Sequence, residues 1–160
     1  MTPGGPIGGG GLASGVATAV KSLRPQAQVI GVEPELAADA RDSLARGEIV
    51  RWPADEVSRT IADGTRTQAL GARTFAHLRD RLDRIITMTE DEIAAGVRLA
   101  AERSRLVAEP SGALAVAALA FRSRSDLGLG GVDDPVVGIV SGGNVDPEAY
   151  RRYLATPLPD

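Results

Sequence analysis

Residues 8–11 are four consecutive glycines, and they open directly into Leu12-Ala13-Ser14-Gly15-Val16-Ala17-Thr18-Ala19-Val20, a run of small and apolar residues that reads as a helix. Residues without a Cβ let successive amide N–H groups curl around one anion, and the helix that follows aims its positive end at the same point. The pattern reads as a phosphate cradle; on its own, a glycine run is otherwise a linker or a tight turn. A loop of this kind ordinarily follows a buried strand. The segment before it, Met1-Thr2-Pro3-Gly4-Gly5-Pro6-Ile7, has no apolar run, so no strand is expected there and the chain reads as starting partway through a fold.

Beyond the loop the chain alternates β-type and helical stretches. Pro25 ends the first helix, and Gln28-Val29-Ile30-Gly31-Val32-Glu33 reads as a buried strand. Pro34 to Arg46 reads as a helix, with Gly47 just past its end. Residues 49–64 form an irregular excursion that returns to the core at Ile61, followed by a helix from Gln68 to Arg81 and a strand over Arg84-Ile85-Ile86-Thr87-Met88. Thr89-Glu90-Asp91-Glu92 is a capping box that starts a helix running to about Ser104. A small-residue helix from Ala113 to about Arg122, a polar loop from Ser123 to Asp134, an apolar strand over 135–140 and a short terminal helix complete the chain. Strand and helix in alternation predict an α/β fold, a mostly parallel sheet flanked by helices, with ligands beyond the carboxyl ends of the strands.

Composition narrows the chemistry. With 43% hydrophobic residues in 160, the chain can bury a core, and aromatics at 3% leave Ala, Val, Leu and Ile to build it. A net charge of −3 gives no basic field for nucleic acid. The absence of cysteine removes disulfides, thiolate metal sites and a cysteine nucleophile, and suits a reducing cytoplasm. No apolar run is long enough to span a bilayer. Among 18 basic residues only Lys21 is a lysine, so any amine chemistry rests on Lys21 or lies elsewhere.

Six separated motifs come in one order: Gly8 to Leu12, Val32-Glu33-Pro34, Thr60-Ile61-Ala62-Asp63-Gly64, Ile85 to Ile93, Glu109-Pro110-Ser111-Gly112, and Ser141-Gly142-Gly143-Asn144-Val145-Asp146. In order and approximate spacing they resemble the pyridoxal-phosphate-dependent serine/threonine dehydratases (threonine ammonia-lyases) and serine racemases, over nearly the whole chain. The resemblance implies the large-domain part of the tryptophan-synthase-β-like, type II fold, over residues 1–155 with a tail at 156–160. It implies that Gly8, Gly9, Gly10, Gly11 and Leu12 bind the phosphate of pyridoxal 5′-phosphate and that Gly64 runs beside the ring. It also implies that Ser141 meets the pyridine nitrogen and that Glu109 is an acid near the active site. A neutral hydroxyl partner leaves that nitrogen largely unprotonated, which suits a moderate electron sink. Glu33 and Asp39, with the carbonyl of Ala37, resemble the ligands of a divalent cation in serine racemases, and oxygen-only ligands suit Mg²⁺ or Ca²⁺. Read from the residues alone, Ser141 has the alternative of a strand-end turn residue, Glu109 that of a helix cap, and Glu33 and Asp39 that of solvated acids at a helix start. His77, the one histidine, reads as a surface residue and the charges of 79–84 as a solvated face.

The resemblance also implies a lysine bonded to the cofactor, carried in a Ser-x-Lys-x-Arg-type motif upstream of the glycine loop, and a smaller domain; neither is found in this sequence. Lys21 cannot substitute, because ten residues of helix carry it roughly 15 Å beyond Gly11; it reads as a solvated residue at the helix end. The chain is therefore expected to be the C-terminal half of a dehydratase, either truncated or paired with a second chain that supplies the N-terminal half. Alone it is expected not to catalyse β-elimination from L-serine or L-threonine. The alternatives are a serine racemase-like fragment, a non-catalytic phosphate-binding or pyridoxal phosphate-binding module, or an inactive remnant. For the intact enzyme the resemblance implies a small amino-acid substrate and a homo-oligomer.

Overall fold

The computed structural model describes residues 2–129 and 135–159. Four parallel strands, β1 (Thr2–Pro6), β2 (Ile30–Pro34), β3 (Arg84–Met88) and β4 (Val136–Gly138), form one sheet in the order β3-β2-β1-β4. Among the described residues seven α-helices connect and cover them: α1 (Gly11–Leu23), α2 (Asp39–Arg46), α3 (Ala54–Val57), α4 (Ala72–Arg81), α5 (Glu90–Ser104), α6 (Pro110–Phe121) and α7 (Pro147–Leu154). No helix among the described residues is long and apolar enough to cross a membrane.

The period-2 alternation of the strands sorts side chains into two cores. Val32, Ile86 and Met88 meet Ile93, Leu114 and Ala117 on the face covered by α5 and α6, where Ile61 also returns as expected. Ile7 and Ile85 point the other way, into a cluster with Ala13, Ala40, Phe75 and Leu78 from α1, α2 and α4. The expected α/β architecture, parallel sheet with helices on both faces, is what the chain forms. Helices α5 and α6 pack closely because their contact is made of small residues. A Cβ on Gly96 would stand 3.0 Å from Cβ of Ala117 and 3.1 Å from the Ala113 carbonyl oxygen.

The expectation that no strand precedes the glycine loop is overturned: Thr2–Pro6 is β1, at the middle of the sheet. Its pairing is supplied by its neighbours, Gly4 opposite Ile30 and Gly138, rather than by its own apolar content. The prolines fit because of where the neighbours stop. Thr2 N–H donates to Pro135 O, and Ile139 N–H to Gly4 O; the next donor of β1 on that side would be Pro6, which has none, and β4 ends at Gly138. That makes β4 three residues long and partly exposed, where a strand over 135–140 was expected.

Other boundaries shift for local reasons. Pro34 belongs to β2, opposite Met88, and α2 begins only at Asp39 after a 3₁₀ turn over Glu35–Ala37. The start expected at Gln68 moves to Ala72, where the chain is tied to the glycine loop: Gly71 N–H, just before the helix, and Thr74 Oγ1, in its first turn, both donate to Gly9 O. Helix α6 starts at Pro110, three residues before the expected Ala113, using proline at its first turn. The excursion over 49–64 contains α3 and leads into a 3₁₀ turn at Asp63–Thr65. The loop expected over Ser123–Asp134 is described as far as Leu129, where Leu127 and Leu129 are buried against Ile30; the rest lies outside the described residues.

The capping box is formed as read. Glu92 N–H donates to Thr89 Oγ1 at 3.3 Å, and Thr89 N–H to Glu92 Oε2 at 2.9 Å. Glu92 also pairs with Arg122, which donates in turn to Thr87 O at 3.0 Å, so the start of α5, the end of α6 and β3 are joined in one network. Burial opposes ionisation of the Glu92 carboxyl, but Arg122 and the Thr89 amide outweigh it and hold its pKa below the usual range.

Candidate functional site

Where β1 ends, the chain turns through Gly8–Gly11 into α1, and this loop forms one wall of a cavity of about 260 Å³. Gly10 sets the turn at φ +86°, a conformation L side chains rarely adopt, and a Cβ there would stand 2.8 Å from Cβ of Thr74. From outside, the Thr74 hydroxyl holds Gly9 O at 2.7 Å. No side chain caps α1 and no acid sits in its first turn, unlike α5 and α7, which Thr89 and Asp146 cap. The amides at the start of α1 therefore keep their donor capacity and the positive end of the helix stays unneutralised, which favours an anion.

The second wall is the 3₁₀ turn at Asp63–Thr65. A Cβ on Gly8 would stand 3.0 Å from Gly64 O and 3.2 Å from Cα of Thr65, so the two backbones touch with no side chain between them. This turn is held internally: Thr65 Oγ1 donates to Ala62 O at 2.7 Å, and the Arg66 guanidinium to Thr60 O.

The third wall joins the start of α6 to the loop after β4. A Cβ on Gly112 would collide with Gly142 O, and one on Gly142 with Oε1 of Glu109. Glu109 N–H donates to Gly142 O at 3.1 Å, and the Glu109 carboxylate accepts the Asn144 N–H at 2.9 Å. Glu109 thus braces the loop that carries Ser141. It stands at the N-cap of α6, but its carboxylate caps no amide of that helix.

Gly8, Gly9, Gly10, Gly11, Leu12, Gly64, Glu109 and Ser141, separated by up to 133 positions, line this single cavity. Pro6, Ala13, Thr65 and Ser111 line it as well and escaped the sequence reading. Only Ser111 had a signal, its place inside the Glu109-to-Gly112 motif. Pro6, Ala13 and Thr65 are marked only by adjacency to the glycines.

Glu33 and Asp39 lie elsewhere, at the end of β2 and the start of α2, near enough for the charge of Asp39 to bear on Glu33, with Ala37 in the 3₁₀ turn between them. The reading of Glu33 and Asp39 as solvated acids fails, since each is 1% exposed. Glu33 reaches across the 3₁₀ turn to accept N–H from Ala40 at 3.1 Å and Arg41 at 2.8 Å, a helix cap supplied from a strand. Asp39 Oδ2 is buried with no hydrogen-bond partner among the described residues. Burial pushes the Glu33 carboxyl up to about 8, with the Asp39 charge adding to it and the two amides opposing, and burial pushes Asp39 up to about 7. A cation held here would relieve that cost, and the donor set is one of hard oxygens; no group of three or more His, Cys, Asp or Glu among the described residues is placed to hold a metal ion, so Ala37 O would have to take part.

Lys21, expected as a solvated residue at the helix end, stands in the last turn of α1, partly exposed, and pairs with Asp83 at 2.7 Å; Asp83 also accepts the Val29 N–H. His77 is exposed, as expected, and the segment 79–84 is mostly exposed.

Residues 5–142 match the family described as pyridoxal-phosphate dependent enzymes. The chain is 40% identical over 151 residues to an L-threo-3-hydroxyaspartate ammonia-lyase of Saccharomyces cerevisiae, covering 94% of this chain and 44% of that protein. It is 38% identical over 150 residues to a serine racemase of Schizosaccharomyces pombe, covering 93% and 44%. Among solved structures, a threonine deaminase from T.th. superposes with a TM-score of 0.78 at 45% identity, over 91% of this chain and 49% of that one. The chain thus spans less than half the length of these relatives.

Proposed function

This chain belongs to the pyridoxal-phosphate dependent enzymes, and from that premise we propose that the cavity after β1 holds pyridoxal 5′-phosphate for an ammonia-lyase reaction on a small hydroxy-amino acid. The single observation that carries the reading is that one cavity is lined by every residue the motifs assign to the cofactor. In this reading the amides of Gly8 to Leu12 and the positive end of α1 hold the phosphate. Gly64 gives the ring a wall with no side chain. The Ser141 hydroxyl meets the ring nitrogen without a full charge, and Glu109 keeps Ser141 in place through the 141–144 loop. When bound, the cofactor supplies an electron sink that lets the α-proton and then the β-hydroxyl leave the substrate.

Lys21 has no part in this, being held by Asp83 some ten residues of helix beyond the cradle. The amine that bonds the cofactor comes from outside these 160 residues, in the same polypeptide or a partner chain, within a cytoplasmic homo-oligomer. Residues 1–155 are in this reading part of the large domain. At the end of β2, Glu33, Asp39 and the Ala37 carbonyl hold Mg²⁺ or Ca²⁺, supported by the unpartnered Asp39 Oδ2.

Binding is tested with pyridoxine 5′-phosphate, the alcohol analogue, which has no aldehyde to react with Lys21 or the N-terminus. The chain should bind it and melt at higher temperature in its presence. No binding would overturn the reading. For activity, the 160-residue chain with pyridoxal phosphate should form no 2-oxoacid from L-serine or L-threonine above the cofactor alone, and turnover would show that the amine lies within it. A racemase is the second reading, favoured by the 38% identity to a serine racemase; D-serine formed once the missing amine is supplied would select it.

A further inference from the structure

Ser111 stands at the second position of α6, 5% exposed, on the cavity wall. Its Oγ accepts the Gly64 N–H at 2.8 Å, and among the described residues this is its only hydrogen bond. A serine hydroxyl has one proton to give, and among the described residues that proton has no acceptor. A buried donor left unused is costly, and accepting one bond makes a hydroxyl a better donor. The backbones around it are closely set: a Cβ on Gly64 would stand 2.9 Å from this oxygen, and Gly112 beside it is wedged against Gly142.

We propose that Ser111 is a ligand-contacting residue whose hydroxyl donates to an oxygen carried by the cofactor ring, while its lone pair fixes the Gly64 peptide against the same ring. The proposal rests on the cavity holding pyridoxal phosphate. It assigns Ser111 to the ring and not to the phosphate because Ser111 stands against Gly64, the residue read as running beside the ring, while it is Gly64 and Thr65 that stand against Gly8 of the phosphate cradle. The Gly64 N–H has a second acceptor in Asp63 Oδ1 at 2.9 Å, so loss of the serine oxygen does not leave that amide unpaired. Removing the hydroxyl therefore acts mainly on the ligand.

The test compares two probes, pyridoxine 5′-phosphate and inorganic phosphate, on the 160-residue chain and its Ser111→Ala and Ser111→Thr variants. Ser111→Ala should weaken pyridoxine phosphate about three- to tenfold, the worth of one hydrogen bond, and leave inorganic phosphate unchanged. Ser111→Thr keeps the hydroxyl, so whatever its added methyl does to packing it should keep the ratio of pyridoxine phosphate to inorganic phosphate affinity within about twofold of the parent's. Equal weakening of both probes by Ser111→Ala would mean the wall had moved and would overturn the assignment, as would unchanged affinity for both. A parent chain that binds inorganic phosphate but not pyridoxine phosphate would overturn the cofactor reading itself. Parent binding of both with no Ser111→Ala effect would leave that reading standing and remove Ser111 from it.

Discussion

Strands β1 and β2 lie side by side, point the same way and end in opposite chemistry. After β1 the chain offers amides and no charged side chain: four glycines and an uncapped helix start. After β2 it offers two carboxylates buried to 1% exposure, one spent on capping α2 and the other with an unpartnered oxygen. The first suits an anion and is preformed, because its walls are backbone against backbone. The second carries a desolvation cost that only protonation or a cation relieves. One edge of one sheet thus separates a site built from peptide dipoles from one built from side-chain charge, and each depends on conditions the other ignores.

The largest effect that would break this contrast is at Gly10. Gly10→Val forces a β-branched residue to φ +86° and into Thr74, and should weaken both inorganic phosphate and pyridoxine phosphate more than about tenfold, with a lower melting temperature. Retained binding would show that the loop does not depend on its backbone shape. Next is pH. Glu33 and Asp39 have pKa values raised above their unfolded ones, so the native chain binds more protons, and stability is lost as pH rises from about 5 through about 8. The melting temperature should fall across that window by roughly 5 °C or more, Glu33→Gln should flatten the fall, and Mg²⁺ or Ca²⁺ should raise the melting temperature more at pH 8 than at pH 5. A cation effect that does not grow with pH would remove the metal reading.

A smaller effect is expected at Thr74, whose hydroxyl holds Gly9 O from outside the cavity. Thr74→Val should cost about 1 kcal/mol in denaturant unfolding and weaken phosphate binding only a few-fold. The smallest is at Lys21. Its pair with Asp83 is partly exposed, so Lys21→Met should change stability by less than about 1 kcal/mol and leave phosphate and pyridoxine phosphate affinity unaltered, by the same titrations.

Much of this was legible in the residues. The Thr89–Glu92 capping box fixed the start of α5 because its partners lie within four positions, and helix α1 and strand β3 were readable from their periods. The family motifs named the cradle, Gly64, Glu109 and Ser141, all of which line one cavity. The misreadings share a cause. Thr2–Pro6 has no strand-like composition, and only β2 and β4 make it one; α4 starts late, where Gly71 just ahead of it and Thr74 in its first turn bond to Gly9 O. Glu33 and Asp39 look like ordinary acids at a helix start until the fold buries them.

What the sequence determined by itself is what short-range bonding and side-chain chemistry determine: caps, helical periods, a glycine loop suited to an anion, and a single lysine placed too far along its helix to serve it. What the tertiary structure decided is everything that needs two distant segments at once. A strand exists where its neighbours supply its hydrogen bonds, an acid is buried where another element covers it, and Gly8, Gly64, Gly112 and Gly142 matter because at each a Cβ would press on another segment. Helix bonds close within four residues and can be read along the chain; sheet bonds and desolvation join residues that only the fold brings together.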